Sequence, residues 1–183
     1  MEELKFTVAP ALCLDLDGTV RRSKSGQTFI QAPDDVELMP NIEELIWKYR
    51  DAGWFIFGIT NQAGVAHGIK TAKDVNDELD ATLALFKKDP FHGVKCAMMD
   101  GKGKVEPYNH RSLLRKPNIG MLALIEMEML ELTYIMDWDN SLFVGDRPED
   151  EQCAKNAGIP FRHIDSFLKD PHEIKNALVN EEK

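Results

Sequence analysis

Ala11-Leu12-Cys13-Leu14-Asp15-Leu16-Asp17-Gly18-Thr19 is the stretch that decides the fold. Its first residues form an apolar run of strand length that ends in an Asp-Gly turn. Such a run, bounded by a turn signal, reads as a strand buried on both faces, the kind found in parallel sheets. Asp15 ends that strand, so its carboxylate is placed at the sheet edge. Asp17 lies two residues on, in a turn that Gly18 permits.

Outward from this strand, further apolar runs at 54–60, 94–98, 141–145 and 161–164 read as strands. Segments of helical period lie between them. Asn41 is placed to cap a helix carrying Ile42, Leu45, Ile46 and Tyr49, which Gly53 ends. Thr71 opens a second helix with Val75, Leu79, Leu83 and Phe86 on one face. Helices follow at 120–132, 149–157 and 172–179. In the third, Met121, Met127, Met129, Leu122, Leu124 and Leu130 read as core, and Glu126, Glu128 and Glu131 as a solvated face. Strands alternating with helices predict an α/β, three-layer Rossmann-like fold with a mainly parallel central sheet. Residues 21–40, with Gly26, Pro33 and Pro40, read as a hairpin excursion. Residues 100–118 read as a long polar loop of the kind that is often functional. Neither insertion is large enough for a cap domain.

The 183 residues fit one domain, 1–183, with 43% hydrophobic and 29% charged residues. Twenty-two Lys and Arg against 31 Asp and Glu give a net charge of -9, which disfavours a broad grip on nucleic acid or on an anionic membrane. No apolar run approaches the roughly 20 residues needed to span a bilayer. The N-terminus lacks a signal-peptide pattern, so a cytoplasmic location is expected. The three cysteines, Cys13, Cys96 and Cys153, are far apart and form no CxxC pair, which points to reduced thiols. The five histidines show no close metal-ligand spacing, and Asp137-Trp138-Asp139 reads as a loop that precedes a strand.

Four motifs carry chemistry. Asp15 can attack phosphorus and form an acyl-phosphate. Asp17 beside it can protonate the leaving oxygen and then deprotonate the attacking water. Thr60-Asn61-Gln62 follows the strand at 54–60, where a hydroxyl, an amide and a helix N-terminus can hold phosphate oxygens. Arg115-Lys116-Pro117 supplies a lysine that offsets charge on the nucleophile and the transferred group. In Gly145-Asp146-Arg147-Pro148-Glu149-Asp150, Asp146 ends a strand and Asp150 follows four residues on. Asp146 is placed to bind magnesium directly and Asp150 through a water. Two unit charges 4 Å apart repel by about 4 kcal/mol at an effective dielectric of 20. Asp15, Asp17, Asp146 and an incoming phosphate therefore need a divalent cation and Lys116 to gather at one place.

In this order the motifs resemble the haloacid dehalogenase-like (HAD) phosphatase superfamily, from about residue 11 to residue 164. The resemblance implies Asp15 as nucleophile and as a magnesium ligand, and Asp17 as general acid/base. It implies Thr60 as the second-motif hydroxyl, Lys116 as the third-motif lysine, and Asp146 as a magnesium ligand; beside these, the residues themselves put Asn61 at the phosphate and join Asp150 to the magnesium site. The backbone carbonyl of Asp17 is a further implied ligand. Thr60-Asn61-Gln62, Gly64-Val65-Ala66-His67-Gly68 and Arg115-Lys116-Pro117 are similar to two subgroups, the heptose-bisphosphate and histidinol-phosphate phosphatases and the 3'-phosphatase domain of polynucleotide kinases. Gly145-Asp146 with Asp150 leans to the first, and Lys24-Ser25-Gly26 to the second. The heptose-type enzymes often carry a zinc loop, but here Ser112 and Leu114 stand where cysteines are expected and only Cys96 survives. Arg115 and His67 are placed toward the non-reacting part of the substrate.

The expected activity is a Mg2+-dependent phosphatase on a small phosphorylated metabolite such as a sugar (bis)phosphate, in a monomer or weak homodimer without membrane contact. The alternative is a nucleic-acid 3'-phosphatase, since an uncapped cleft admits large substrates. A non-catalytic phosphate-binding protein would be marked by loss of the nucleophile, the acid or the metal ligand, and all three are present.

Overall fold

The structure is a computed structural model that describes residues 5–169. The expected terminal helix at 172–179 lies outside the described residues. In chain order the elements are β1 (Thr7–Ala9), β2 (Ala11–Asp15), β3 (Arg21–Ser23), β4 (Val36–Leu38), α1 (Ile42–Asp51), β5 (Phe55–Asn61), α2 (Ala72–Ala84) and β6 (Gly93–Ala97). They continue with α3 (Gly120–Glu131), β7 (Tyr134–Met136), β8 (Leu142–Gly145), α4 (Pro148–Ala157), β9 (Phe161–His163) and α5 (Ile164–Lys169).

The central sheet has the order β6-β5-β2-β8-β9, and every pairing in it is parallel. β2 is its middle strand and all five of its residues are buried. Because side chains alternate across a strand, β2 feeds two separate cores. Ala11 and Cys13 join Phe57, Ile59, Met121, Ile125 and Ala154 on the side of α3 and α4. Leu12 and Leu14 join Ile42, Ile46, Tyr49, Ile56 and Phe167 on the side of α1 and α5. This is the three-layer arrangement that the alternating pattern predicts.

The 21–40 excursion is an antiparallel β3–β4 hairpin, pairing Arg21 with Leu38 and Ser23 with Val36. Lys70 fastens its loop to α2: the ammonium donates to the Ile30 carbonyl at 2.6 Å and to both oxygens of buried Glu78 at 2.6 and 2.7 Å.

Several local expectations are corrected. Asn41 precedes α1 but caps nothing with its side chain; it takes a left-handed backbone with φ 64°. Thr71 does cap α2, in a reciprocal box with Asp74. The buried face of α2 is Val75, Glu78 and Thr82, while Phe86 lies beyond the helix end. In α3 only Met121, Leu122, Ile125 and Met129 are buried. Leu124, Met127 and Leu130 fall on the outer face, because the 3.6-residue period carries them away from the sheet. Glu126 accepts the Trp138 indole N–H at 3.0 Å and Glu128 pairs with Lys95, so that face is not simply solvated. β1 and β7 form a small parallel ladder that three-residue runs did not announce. Asp137-Trp138-Asp139 is, as read, a loop that precedes a strand, β8; it also follows β7, at the end of the sheet where β2 begins. Asp15 stands at the other end.

His92 is half-buried against Phe55, with ring centroids 4.4 Å apart, and its Nδ1 accepts the Ile56 N–H at 2.8 Å. Burial, and then the Arg50 guanidinium, push its pKa down from 6.5 to about 4. Between those values the unfolded chain takes up a proton that the folded chain refuses. Stability therefore falls as pH drops from 6.5 toward 4, by at most about 3 kcal/mol. Thermal melts across that range should show His92→Asn losing less stability than the native protein. Parallel losses in the two proteins would show that His92 is not the group responsible.

Candidate active site

β2, β5 and β8 are parallel neighbours, so their C-terminal ends present Asp15, Thr60-Asn61 and Asp146 along one sheet edge. The turn after β2 is tight: the N–H groups of Thr19, Val20 and Arg21 all donate to the Leu16 carbonyl, at 3.2, 2.9 and 2.9 Å. Gly18 sits at φ +96°, and a Cβ there would lie 2.3 Å from Asp146 Oδ2. Glycine thus lets the Asp146 carboxylate press against the turn that carries Asp17. Gly145 does the same for Asp150, whose Cβ lies 2.5 Å from where a Cβ at 145 would stand.

Asp15, Asp146 and Asp150 each offer a carboxylate oxygen, and these atoms lie within 4.8 Å of one another. They are the one such group of three or more candidate ligands among the described residues. Asp15 Oδ2 and Asp146 Oδ1 are buried without a hydrogen-bond partner. Buried carboxylate oxygens left bare are costly, and a hard divalent cation is the group that satisfies them. The residues present fit such an ion.

Lys116, placed by sequence in a loop, is 3% exposed. Its ammonium lies 2.5 Å from Asp15 Oδ1, 2.6 Å from Asp150 Oδ1 and 3.1 Å from the Ile59 carbonyl. Burial raises Asp15 to about 7, although Lys116 pulls it down. Burial also raises Asp146, against the pull of Arg147. For Lys116 burial works downward, but the carboxylates of Asp15 and Asp150 outweigh it and the pKa is raised. The lysine is thus a fixed cation among acids that one positive charge cannot neutralise.

Asn61, read from the sequence as a phosphate contact, lines the cavity and also binds the backbone of Lys116. Its carboxamide oxygen accepts the Lys116 N–H at 3.0 Å and its amide donates to the Lys116 carbonyl at 3.1 Å. The side chain clamps the lysine's backbone from both its N–H and its carbonyl. No helix follows β5 directly; residues 63–68 form turns and α2 begins at Ala72, so there is no helix N-terminus at this point. Asp150 binds Lys116 and accepts the Arg147 N–H at 3.1 Å, so its carboxylate first serves to hold the lysine. The Asp17 side chain turns away from the acidic cluster, to Arg21, Thr60 and Gln62. Of the implied Asp17 metal contacts, this orientation leaves the backbone carbonyl.

These groups line a cavity of about 270 Å³, with Asp15, Asp17, Thr60, Lys116 and Asp150 on its polar side. Arg115 also lines it, held 3.7 Å from Asp100, and so does His67, 3.2 Å from the same carboxylate. Phe29 and Ile69 line it as well while 61% and 74% exposed, which places them at its rim. Ser112 takes part in a turn, accepting the Leu114 N–H at 3.1 Å. Burial raises Cys96 to about 12 and Cys153 to about 11. Arg21, which binds Asp17, was not singled out by sequence, and Gln62 was read only as part of the second motif and not as a partner of Asp17. Arg21 is followed by Arg22, Ser23 and Lys24, so by sequence it reads as one of a short polar, basic run.

The chain is similar to known proteins over most of its length. Residues 11–168 match the family described as polynucleotide kinase 3 phosphatase. A D-glycero-beta-D-manno-heptose-1,7-bisphosphate 7-phosphatase from Rhodopseudomonas palustris is 32% identical, with 87% of this chain and 88% of that one covered. A D-glycero-D-manno-heptose-1,7-bisphosphate 7-phosphatase from Chlorobaculum tepidum is 29% identical over 91% of this chain and 86% of its own. The crystal structure of the D,D-heptose 1,7-bisphosphate phosphatase from B. bronchiseptica, complexed with magnesium and phosphate, shares the fold. Its TM-score is 0.66 at 23% identity, over 83% of this chain and 78% of that one. With an acidic cluster at the C-terminal edge of a parallel sheet and a match over most of its length, the chain is a phosphomonoester hydrolase belonging to the polynucleotide kinase 3 phosphatase family of HAD-like phosphatases.

Proposed function

We propose that the protein is a Mg2+-dependent phosphatase that works through an aspartyl-phosphate on Asp15 and acts on a sugar bisphosphate. The observation that carries this reading is the bare, buried Oδ2 of Asp15, in a cavity wall that also holds Lys116. In the first step a carboxylate oxygen of Asp15 bonds to phosphorus as the bond to the leaving oxygen breaks. Asp17, protonated, gives that oxygen its proton and the alcohol departs. In the second step Asp17, now a carboxylate, takes a proton from a water whose oxygen bonds to phosphorus. The Asp15–phosphorus bond breaks, and inorganic phosphate and the Asp15 carboxylate are regenerated. Lys116 stabilises negative charge on Asp15 and on the phosphoryl oxygens. Magnesium, held by Asp15, Asp146 and the Asp17 carbonyl, would polarise the phosphoryl group. Thr60 serves the site by donating its hydroxyl to Asp17 Oδ2 at 3.1 Å.

The sugar bisphosphate is supported by the activity named for the relatives, and by Arg115 and His67 in the cavity wall, where a second anionic group would meet a guanidinium and an imidazole. The nucleic-acid 3'-phosphate reading is favoured by one observation: the apolar rim of Phe29 and Ile69 beside an uncapped cavity, a surface on which a base can stack. Turnover of a heptose bisphosphate and of a 3'-phosphorylated oligonucleotide, each with magnesium and with excess chelator, tests both. Chelator should reduce turnover at least about a thousandfold, and magnesium should restore it. The sugar bisphosphate should lead the oligonucleotide in kcat/KM by about tenfold or more. A reversed preference establishes the second reading, and full activity in chelator ends the metal-dependent mechanism.

A further inference from the structure

Arg21 is 0% exposed, and its guanidinium meets a single carboxylate among the described residues, that of Asp17. Nε donates to Asp17 Oδ1 at 2.9 Å and Nη2 lies 3.4 Å from Oδ2. The third nitrogen is anchored on α2: Nη1 donates to Thr82 Oγ1 at 2.7 Å and to the Glu78 carbonyl at 3.1 Å. The backbone closes the same loop, since the Gly18 N–H donates to the Arg21 carbonyl at 2.8 Å and Asp17 and Arg21 form a bridge. The Asp17 side chain, 27% exposed, is thus gripped from behind by a cation that cannot reach water.

We infer that Arg21 is a positioning residue for the general acid/base: anchored on α2 through Thr82 and Glu78, it holds the Asp17 carboxylate toward the leaving-group oxygen. The inference rests on the phosphatase reading above. A guanidinium's planar fork suits this task, because two donors fix both the place and the plane of a carboxylate. Gln62 Nε2 at 2.6 Å and Thr60 Oγ1 at 3.1 Å complete the grip on Oδ2. With Arg21 gone, Oδ1 loses its partner and the side chain is free to rotate about its bonds toward the acidic cluster. Proton transfer needs near hydrogen-bond contact with the leaving oxygen, so a misplaced Asp17 slows the steps that move a proton and spares those that do not.

The leaving group separates these steps. Nitrophenolate departs from nitrophenyl phosphate without a proton, whereas a sugar alkoxide requires one. The experiment compares native protein, Arg21→Met, Arg21→Lys and Thr82→Val in rapid-quench kinetics with magnesium. It follows phosphorylation of Asp15 separately from turnover, and circular dichroism confirms the fold. In Arg21→Met, phosphorylation by the sugar phosphate should slow about a hundredfold while phosphorylation by nitrophenyl phosphate changes less than about threefold. Turnover of nitrophenyl phosphate should then show a burst of nitrophenol, because the later water attack also needs Asp17. Arg21→Lys, with a cation but no fork, should recover part of the loss. Thr82→Val keeps Arg21 and removes one anchor; it should slow the sugar phosphate alone, by about fivefold. That variant carries the test if Arg21→Met does not fold.

Equal slowing of phosphorylation by both esters would overturn the inference, since a merely structural arginine acts on both alike. So would a folded Arg21→Met with native rates. A native protein that is never phosphorylated by either ester and hydrolyses neither would overturn the phosphatase reading itself, and the role of Arg21 with it.

Discussion

Asp15→Asn is expected to lower turnover by about ten-thousandfold or more while the protein still folds. The amide oxygen is too weak a nucleophile to form the acyl-phosphate, so no phosphoryl group should be trapped on the chain. Acid quench followed by intact-mass analysis reads this directly. Folding should survive because the amide is nearly isosteric and removes one of three crowded acids. Asp150 remains as a partner for Lys116, 2.6 Å from its ammonium. Activity within tenfold of the native protein would show that another group attacks phosphorus.

Lys116→Met is expected to damage both stability and rate. The ammonium is the buried cation between Asp15 and Asp150, whose side chains are 7% and 1% exposed. Removing one partner of a buried ion pair leaves an uncompensated charge and costs about 3–5 kcal/mol. For a chain of this size that is a fall of about 10 °C in melting midpoint. Turnover should fall by about a thousandfold, since the charge at the reacting group is lost too. Adding Asp150→Asn to the same chain should return part of the lost stability and none of the rate, because the two residues interact directly. Unfolding curves for the two single variants and the double variant, together with kcat, check this. A midpoint within about 2 °C of native would show the lysine to be solvated and not part of a buried network.

The fold was legible because its strands are apolar on both faces. Leu12 and Leu14 serve one core while Ala11 and Cys13 serve the other, so β2 shows as an unbroken apolar run. The β1–β7 ladder was not legible. Each strand is three residues long, and Val8 and Ile135 are 55% and 41% exposed. The inner and outer faces of α3 were also hidden, because apolar residues lie all around it. Position against the sheet, and not composition, decides that Met129 is buried while Met127 is exposed.

By itself the sequence placed Asp15, Thr60 and Asp146 at the ends of apolar runs and made those runs strands of a mainly parallel sheet. The strand order, with β5 and β8 on either side of β2, came from the tertiary structure and brings the three together on one edge. The sequence named Lys116 only through its motif; only the tertiary structure decided how it is held. The clamp of Asn61 on its backbone and the packing of Asp150 against Gly145 bring it to the nucleophile. The same holds for Arg21, whose place behind Asp17 depends on α2 lying across the hairpin. A carboxylate at a strand end is positioned by its own strand, whereas a buried cation is positioned by whatever packs around it.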